Sequence, residues 1–210
     1  MTFRRTVLAC LVVGAAIGAG MAWQQNGGSA QHPDDDASWH HRRDPAVGDS
    51  IVAEYERSLG TWTSGPVTLR APRNLLSVEE GAELARRCDV RLTAMTRRLV
   101  GGTGPTAIPP TVVWCYPDFQ TKGLRTGNSL VEHADPDSNV VHRVLERGRA
   151  EGDGLAEADL VLRRANVRLT HSWLEAGALV WLADSWLGVP PAEWGATLEG
   201  MGVWPGTESL

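Results

Sequence analysis

Between Ser77 and Leu99 the chain is written as one long amphipathic helix. Ser77-Val-Glu-Glu80 has capping-box spacing, in which a serine hydroxyl and a glutamate three residues on satisfy each other's backbone N–H groups. The apolar positions Val78, Ala82, Ala85, Cys88, Leu92, Met95 and Leu99 advance in steps of three and four, which aligns them as one buried stripe. Gly101-Gly-Thr-Gly-Pro105 stops the helix, and no Gly-Lys-Ser/Thr follows to make a phosphate loop of it. A stripe of that length has to be covered by another layer.

Strand-like runs supply that layer. Pro66–Arg70 alternates, Thr111–Tyr116 is rich in valine and aromatics, and Ser129–His133 with Val140–Val144 flank Ala-Asp-Pro-Asp-Ser-Asn as a hairpin. A short helix is expected from Ile51 to Leu59. After Gly152-Asp-Gly154 the pattern is helical over Leu155–Ala165, over Thr170–Leu187 with Thr170 as N-cap, and again from Pro191. Trp173, Trp181, Trp186, Trp194 and Trp204 cluster in this part, as in a core built from large aromatic surfaces. The expected fold is α+β: a small mixed sheet with a long amphipathic helix, followed by a Trp-rich helical C-terminal part.

The first fifty residues read differently. Arg4 and Arg5 precede an apolar run of roughly 17 residues, from Val7 to Trp23, barely long enough to span a bilayer. This is the pattern of a signal peptide or signal anchor over residues 1–23, with Gly20-Met-Ala22 as a cleavage site. Residues 24–50 are Gln, Gly, Ser, Pro, Asp and His with almost no aliphatic side chains, a disordered linker leading to a domain over 51–210. The expectation is an exported protein, periplasmic, extracellular or held at the membrane by its N-terminal segment. A net charge of -5 argues against a nucleic-acid partner. In an oxidising compartment Cys88 and Cys115 are candidates for a disulfide, with two separate buried thiols as the alternative.

The element order, together with Val113-Trp-Cys-Tyr-Pro-Asp118 and Trp173-Leu-Glu-Ala-Gly-Ala178, resembles the peptidase-MA-like group of gluzincin zinc metallopeptidases over residues 64–200. The resemblance implies a zincin-like N-terminal subdomain. It also implies a zinc site made by two histidines at i, i+4 on one helix, a glutamate between them as general base, and a glutamate from the next helix. In this chain the first of those helices reads Ala158-Asp-Leu-Val-Leu-Arg-Arg164, with Asp159/Arg163 or Leu160/Arg164 at i, i+4 and no histidine. Arginine has no lone pair to offer a metal. On the second helix the family's Trp-Leu-x-Glu-Gly has become Trp-Leu-Glu-Ala-Gly, and moving Glu175 by one residue turns it roughly 100° away from where the metal sits. The resemblance therefore carries over a fold without its metal site. Relatives usually have a further helical subdomain after this helix, so the chain looks truncated beside them.

Four residues remain as weak catalytic or metal candidates: Glu175, His133, His142 and His171. With a turn at Asp135–Ser138, His133 would face Val140 and lie diagonal to His142, ~7–8 Å away, with Asp135 or Asp137 as a third ligand. His171 beside Ser172 does not make a nucleophile–base pair without an orienting carboxylate. Glu175, on an apolar helix, is expected to form a buried ion pair with Arg163 or Arg164. The reading is an exported, non-catalytic peptidase-like domain that binds a protein or polymer outside the cytoplasm, with no cofactor. The alternatives are a zinc metallohydrolase with atypical ligands and a structural module that packs on a partner protein.

Overall fold

The computed structural model describes residues 45–101, 107–128, 130–145, 154–167, 169, 171–187 and 189–201. The export segment, most of the linker, Thr170 and Trp204 lie outside the described residues. No helix among the described residues is long and apolar enough to cross a membrane.

In chain order the elements are α1 (Pro45–Ser58), β1 (Leu59–Ser64), β2 (Val67–Pro72), α2 (Val78–Val100), β3 (Thr111–Tyr116), α3 (Phe119–Thr126), β4 (Glu132–Asp135), β5 (Val140–Val144), α4 (Leu155–Arg164), α5 (Ser172–Ala183) and α6 (Pro191–Gly200). The strands form one five-stranded mixed sheet in the order β1-β2-β3-β5-β4. The three inner strands are parallel, while β1 and β4 run antiparallel at the two edges. The protein is thus α+β.

Sheet pleating sorts the core into two layers. Val67, Leu69, Ala71, Val113, Cys115 and Val141 point to the face covered by α2, α4 and α5. Trp114, Tyr116 and Val144 point to the opposite face, where Tyr55 of α1 packs on them. Because β3 is buried on both faces, its sequence reads as a continuous apolar run rather than an alternation.

The long helix forms with both halves of its capping box: Glu80 N–H donates to Ser77 Oγ at 3.1 Å, and Ser77 N–H donates to Glu80 Oε2 at 2.8 Å. Gly101 closes it in the left-handed conformation, φ +67. Ala85, Cys88, Leu92 and Met95 of the expected stripe are buried, and only in the first turns does the buried side differ. Gly81 and Leu84 are buried, whereas Val78 is 70% exposed and Ala82 also faces solvent. The cause is Trp62 of β1, whose indole lies against Gly81 and draws that side of the helix onto the sheet.

Two elements carry weak sequence signals. Strand β1, Leu-Gly-Thr-Trp-Thr-Ser, is an edge strand with few aliphatic residues. Helix α3 is polar, but Asp118 caps it by accepting from Thr121 N–H at 2.7 Å and Gly127 ends it at φ +70. The folded part also starts earlier than expected. Pro45 opens α1, so residues 45–50 are helix and not linker, in keeping with proline at a first helical turn.

Candidate functional site

Helix α4 has a buried side and a side turned toward α5, and the two carry different polar groups. On the buried side, Leu160 belongs to the core and Glu157 is fully buried. On the other, Asp159 and Arg163 stand one turn apart. Arg163 Nε donates to Asp159 Oδ1 at 3.1 Å, and its NH2 donates to Glu175 Oε1 across the helix–helix contact. Glu175 of α5 thus faces α4. Its ion pair with Arg163 lies near the surface, with the two side chains 43% and 30% exposed. The expected pair is present, but it is not buried, because α4 and α5 meet at the edge of the domain and leave these side chains in contact with water. Arg164 takes no part in it: its Nε donates to Asn139 Oδ1 at 2.8 Å and its NH2 to Thr111 Oγ1 at 2.7 Å.

This donor set does not fit zinc. A guanidinium sits between two carboxylates, and arginine can only donate. Among the described residues no three His, Cys, Asp or Glu side chains converge as a metal would need.

A cavity of about 520 Å³ opens beside this group, lined by Pro136, Asp137, Arg163, Arg164, Asn166, Val167 and Leu169. It lies between the β4–β5 turn and the end of α4. The turn spans Pro136–Asn139, with Asn139 at φ +56, a conformation asparagine tolerates better than most residues.

Behind α4 lies a second polar group, which the sequence did not disclose. Arg143 of β5 is fully buried and donates from NH2 to both Glu157 oxygens, at 2.7 and 2.6 Å. Its Nε donates to Glu132 Oε2 at 3.1 Å. Arg91 of α2 approaches Glu157 at 3.5 Å. The other oxygen of Glu132 accepts the Leu155 and Ala156 N–H groups at 2.9 and 3.2 Å, capping α4 from the edge strand. Burial works against the charge on Arg143, but Glu157 and Glu132 more than offset it, holding its pKa well above the ordinary arginine value. Burial likewise pushes Glu157 up, and Arg143 and Arg91 outweigh it, leaving the carboxyl below its usual range. The only advance signal was an Arg and a Glu amid residues otherwise fit for a core.

The histidines meet in a different register from that expected. The hairpin pairs His133 with His142 directly, not diagonally, because the turn is Pro136–Asn139 and Val140 pairs with Asp135. Their rings stack at 4.6 Å between centroids. The pair lies on the α1/α3 face, away from the α4–α5 contact. His142 Nδ1 is 2.8 Å from Tyr116 Oη, which accepts from Arg125 NH1 at 3.1 Å. The tyrosine proton is then directed to His142, which assigns the Nε2–H tautomer. Lys122, fully buried, donates to Asn128 O at 3.0 Å. Burial, then His133, Arg125 and Lys122, push the His142 pKa down to about 4. A site with two such cations beside it does not favour a metal ion.

A testable consequence follows from the sign of this shift. A histidine with a lowered folded pKa stabilises the fold above its unfolded value of about 6.5, and that stability is lost as pH falls toward the folded value. Wild type should lose about 2 kcal/mol between pH 7 and pH 5 from this group, and His142→Phe should lose correspondingly less. Denaturant midpoints at the two pH values measure it. An identical pH dependence in both proteins would show that His142 is not responsible.

His171 is the N-cap residue of α5, although its side chain makes no capping hydrogen bond, and it is exposed. The expected cap, Thr170, lies outside the described residues. Cys88 and Cys115 are both buried free thiols rather than a disulfide. Each sits on a core-facing position, and burial pushes the Cys115 thiol up to about 12. In comparisons with family models, curated proteins and solved structures, nothing matches this chain.

Proposed function

We propose that the chain is an exported, non-catalytic, peptidase-like domain that binds a protein or polymer outside the cytoplasm. The carrying observation is the Asp159–Arg163–Glu175 group. Its three side chains occupy i, i+4 positions on one helix and a position on the next, which resembles the placement a gluzincin uses for two histidines and a glutamate, with Glu175 one residue before the family's glutamate. A permanent cation there does the electrostatic work of a metal for the two carboxylates, holding the helices together without activating water. The sheet with its antiparallel edge β4, the long helix α2, and α4 and α5 in succession support the same ancestry. The adjacent arginine-lined cavity supports binding as the retained role.

One observation favours a structural module as the second reading. Leu187 and Met201, near the C-terminal end of the described residues, are 53% and 68% exposed. Exposed apolar groups at one end suit packing against a partner.

Elemental analysis of the full chain, incubated with zinc and desalted, tests the first reading. Substoichiometric zinc and no peptide hydrolysis are expected. Stoichiometric zinc that is lost in Asp159→Ala or Glu175→Ala would overturn it and establish a metallohydrolase with atypical ligands.

A further inference from the structure

We infer that the β4–β5 hairpin is an acid-sensitive latch: protonation of the stacked His133–His142 pair releases edge strand β4, and with it the Glu132 clasp on the start of α4. The inference is independent of the proposed binding role and concerns how the fold responds to the acidity around it.

Strand β4 is held by few contacts. It lies at the edge of the sheet and pairs with β5 alone. Of its four residues, Glu132-His-Ala-Asp135, only Ala134 is apolar, and it is only partly buried against the core. Beyond the backbone ladder, one polar hold remains on each face. On the α1/α3 face the His133 ring lies on His142, 4.6 Å between centroids and 13° between planes. On the other face Glu132 accepts from Arg143 Nε and from the Leu155 and Ala156 N–H groups.

The stack suits two neutral rings and not two charged ones. His133 Nδ1 is buried without a hydrogen-bond partner, so an imidazolium there would have a donor with no acceptor. His142 Nδ1 is occupied by the Tyr116 hydroxyl. From α3 come two cations, Lys122, bonded to a backbone carbonyl, and Arg125. Glu56 of α1 is paired with Arg125 at 3.3 Å. Asp135, the carboxylate that favours charged histidines, is hydrogen-bonded to Ser138, and Asp137 in the turn is exposed. Across the sheet Arg143 is paired with Glu132 and Glu157, and Arg91 with Glu157. Two imidazoliums would therefore face each other directly across a strand pair, beside further positive charge, and like charges so placed are destabilising. Releasing β4 takes His133 away from His142 and from Lys122.

The direction follows from linkage. Burial is the leading cause that lowers both histidines in the folded protein, with Lys122 acting on His133 and His133 itself on His142. A lowered folded value favours the closed hairpin above the unfolded value of about 6.5, and that preference is lost as pH falls below it.

Hydrogen exchange of the full chain at pH 7 and pH 5 tests the latch, with protection taken against unstructured peptides at each pH. Protection over Glu132–Asp135 and at Leu155 and Ala156 should fall roughly tenfold, while Thr111–Tyr116 keeps its protection. His133→Phe/His142→Phe retains a stacked aromatic pair that cannot titrate, and its drop should be under about twofold. Because that variant deprives Tyr116 of its acceptor, His133→Phe alone, which leaves the Tyr116–His142 bond in place, should also show a smaller drop than wild type. Unchanged protection of β4 at pH 5 overturns the inference, since His133 would then simply turn out to water. Equal loss over Thr111–Tyr116 overturns it in favour of global acid unfolding. A drop that persists in the two variants overturns it by assigning the sensitivity to Glu132, whose carboxyl burial pushes up.

Discussion

Glu157→Leu should destabilise the domain by about 3–5 kcal/mol, the cost of leaving a buried charge without its partner. Arg143 would keep Glu132, and Arg91 would lose its contact with Glu157. The group is buried on all sides: Arg143 and Glu157 side chains are 1% and 0% exposed. The pair itself is a different matter, since desolvating both ions takes back much of what their attraction supplies. The double variant Arg143→Met/Glu157→Leu should therefore recover part of the loss: Glu132 still caps α4 through Leu155 and Ala156 N–H, but it is largely buried and loses its cation. Urea unfolding of the two variants beside wild type measures both effects. A single variant within about 1 kcal/mol of wild type would mean that water reaches Arg143 and that the network is not the keystone of the α4–sheet contact.

Gly81→Ala should cost about 3 kcal/mol, although alanine is the better helix former. A Cβ at Gly81 would stand 2.3 Å from Trp62 Cε2 and 2.5 Å from Cδ2, inside the body of a rigid ring. The indole cannot give way at its tip. Either α2 lifts from β1 or Trp62 leaves its place. Trp62→Ala/Gly81→Ala should consequently cost less than the sum of the two single changes, because removing the ring removes the clash. Circular dichroism melts of the three variants settle the coupling. A Gly81→Ala protein as stable as wild type would show that the close approach has no consequence for stability.

These two sites mark where the sequence stopped being legible. The capping box, the helix it opens, the strand Thr111–Tyr116 and the helices from Leu155 and Pro191 could be read directly, because each depends on spacing along its own segment. The side that α2 buries in its first turns could not. Val78 fits a three-and-four stripe as well as Leu84 does, and only the position of Trp62 decides which side of the helix meets the sheet. The hairpin was legible as a hairpin, whereas its register was not. Asp135, Pro136, Asp137 and Ser138 are all good turn formers, and pairing Asp135 with Val140 puts His133 opposite His142.

The candidate site divides in the same way. Absence of histidine from α4 and the presence of Glu175 in the first turn of α5 are facts of the sequence, and they determine what chemistry the residues can supply. Which arginine meets Glu175 is a fact of packing. Arg163 and Arg164 are adjacent in the chain but about 100° apart around the helix, so docking α4 on the sheet sends one toward α5 and the other toward Thr111 and Asn139. The buried Arg143 network and the unpaired Arg164 donor lie further still from sequence reasoning. Local pattern thus decided most of the helices and strands, with β1, α3 and the start of α1 as exceptions, and which side chains are present. Tertiary structure alone decided burial and pairing, because both depend on groups far apart in the chain being brought within a hydrogen bond of one another.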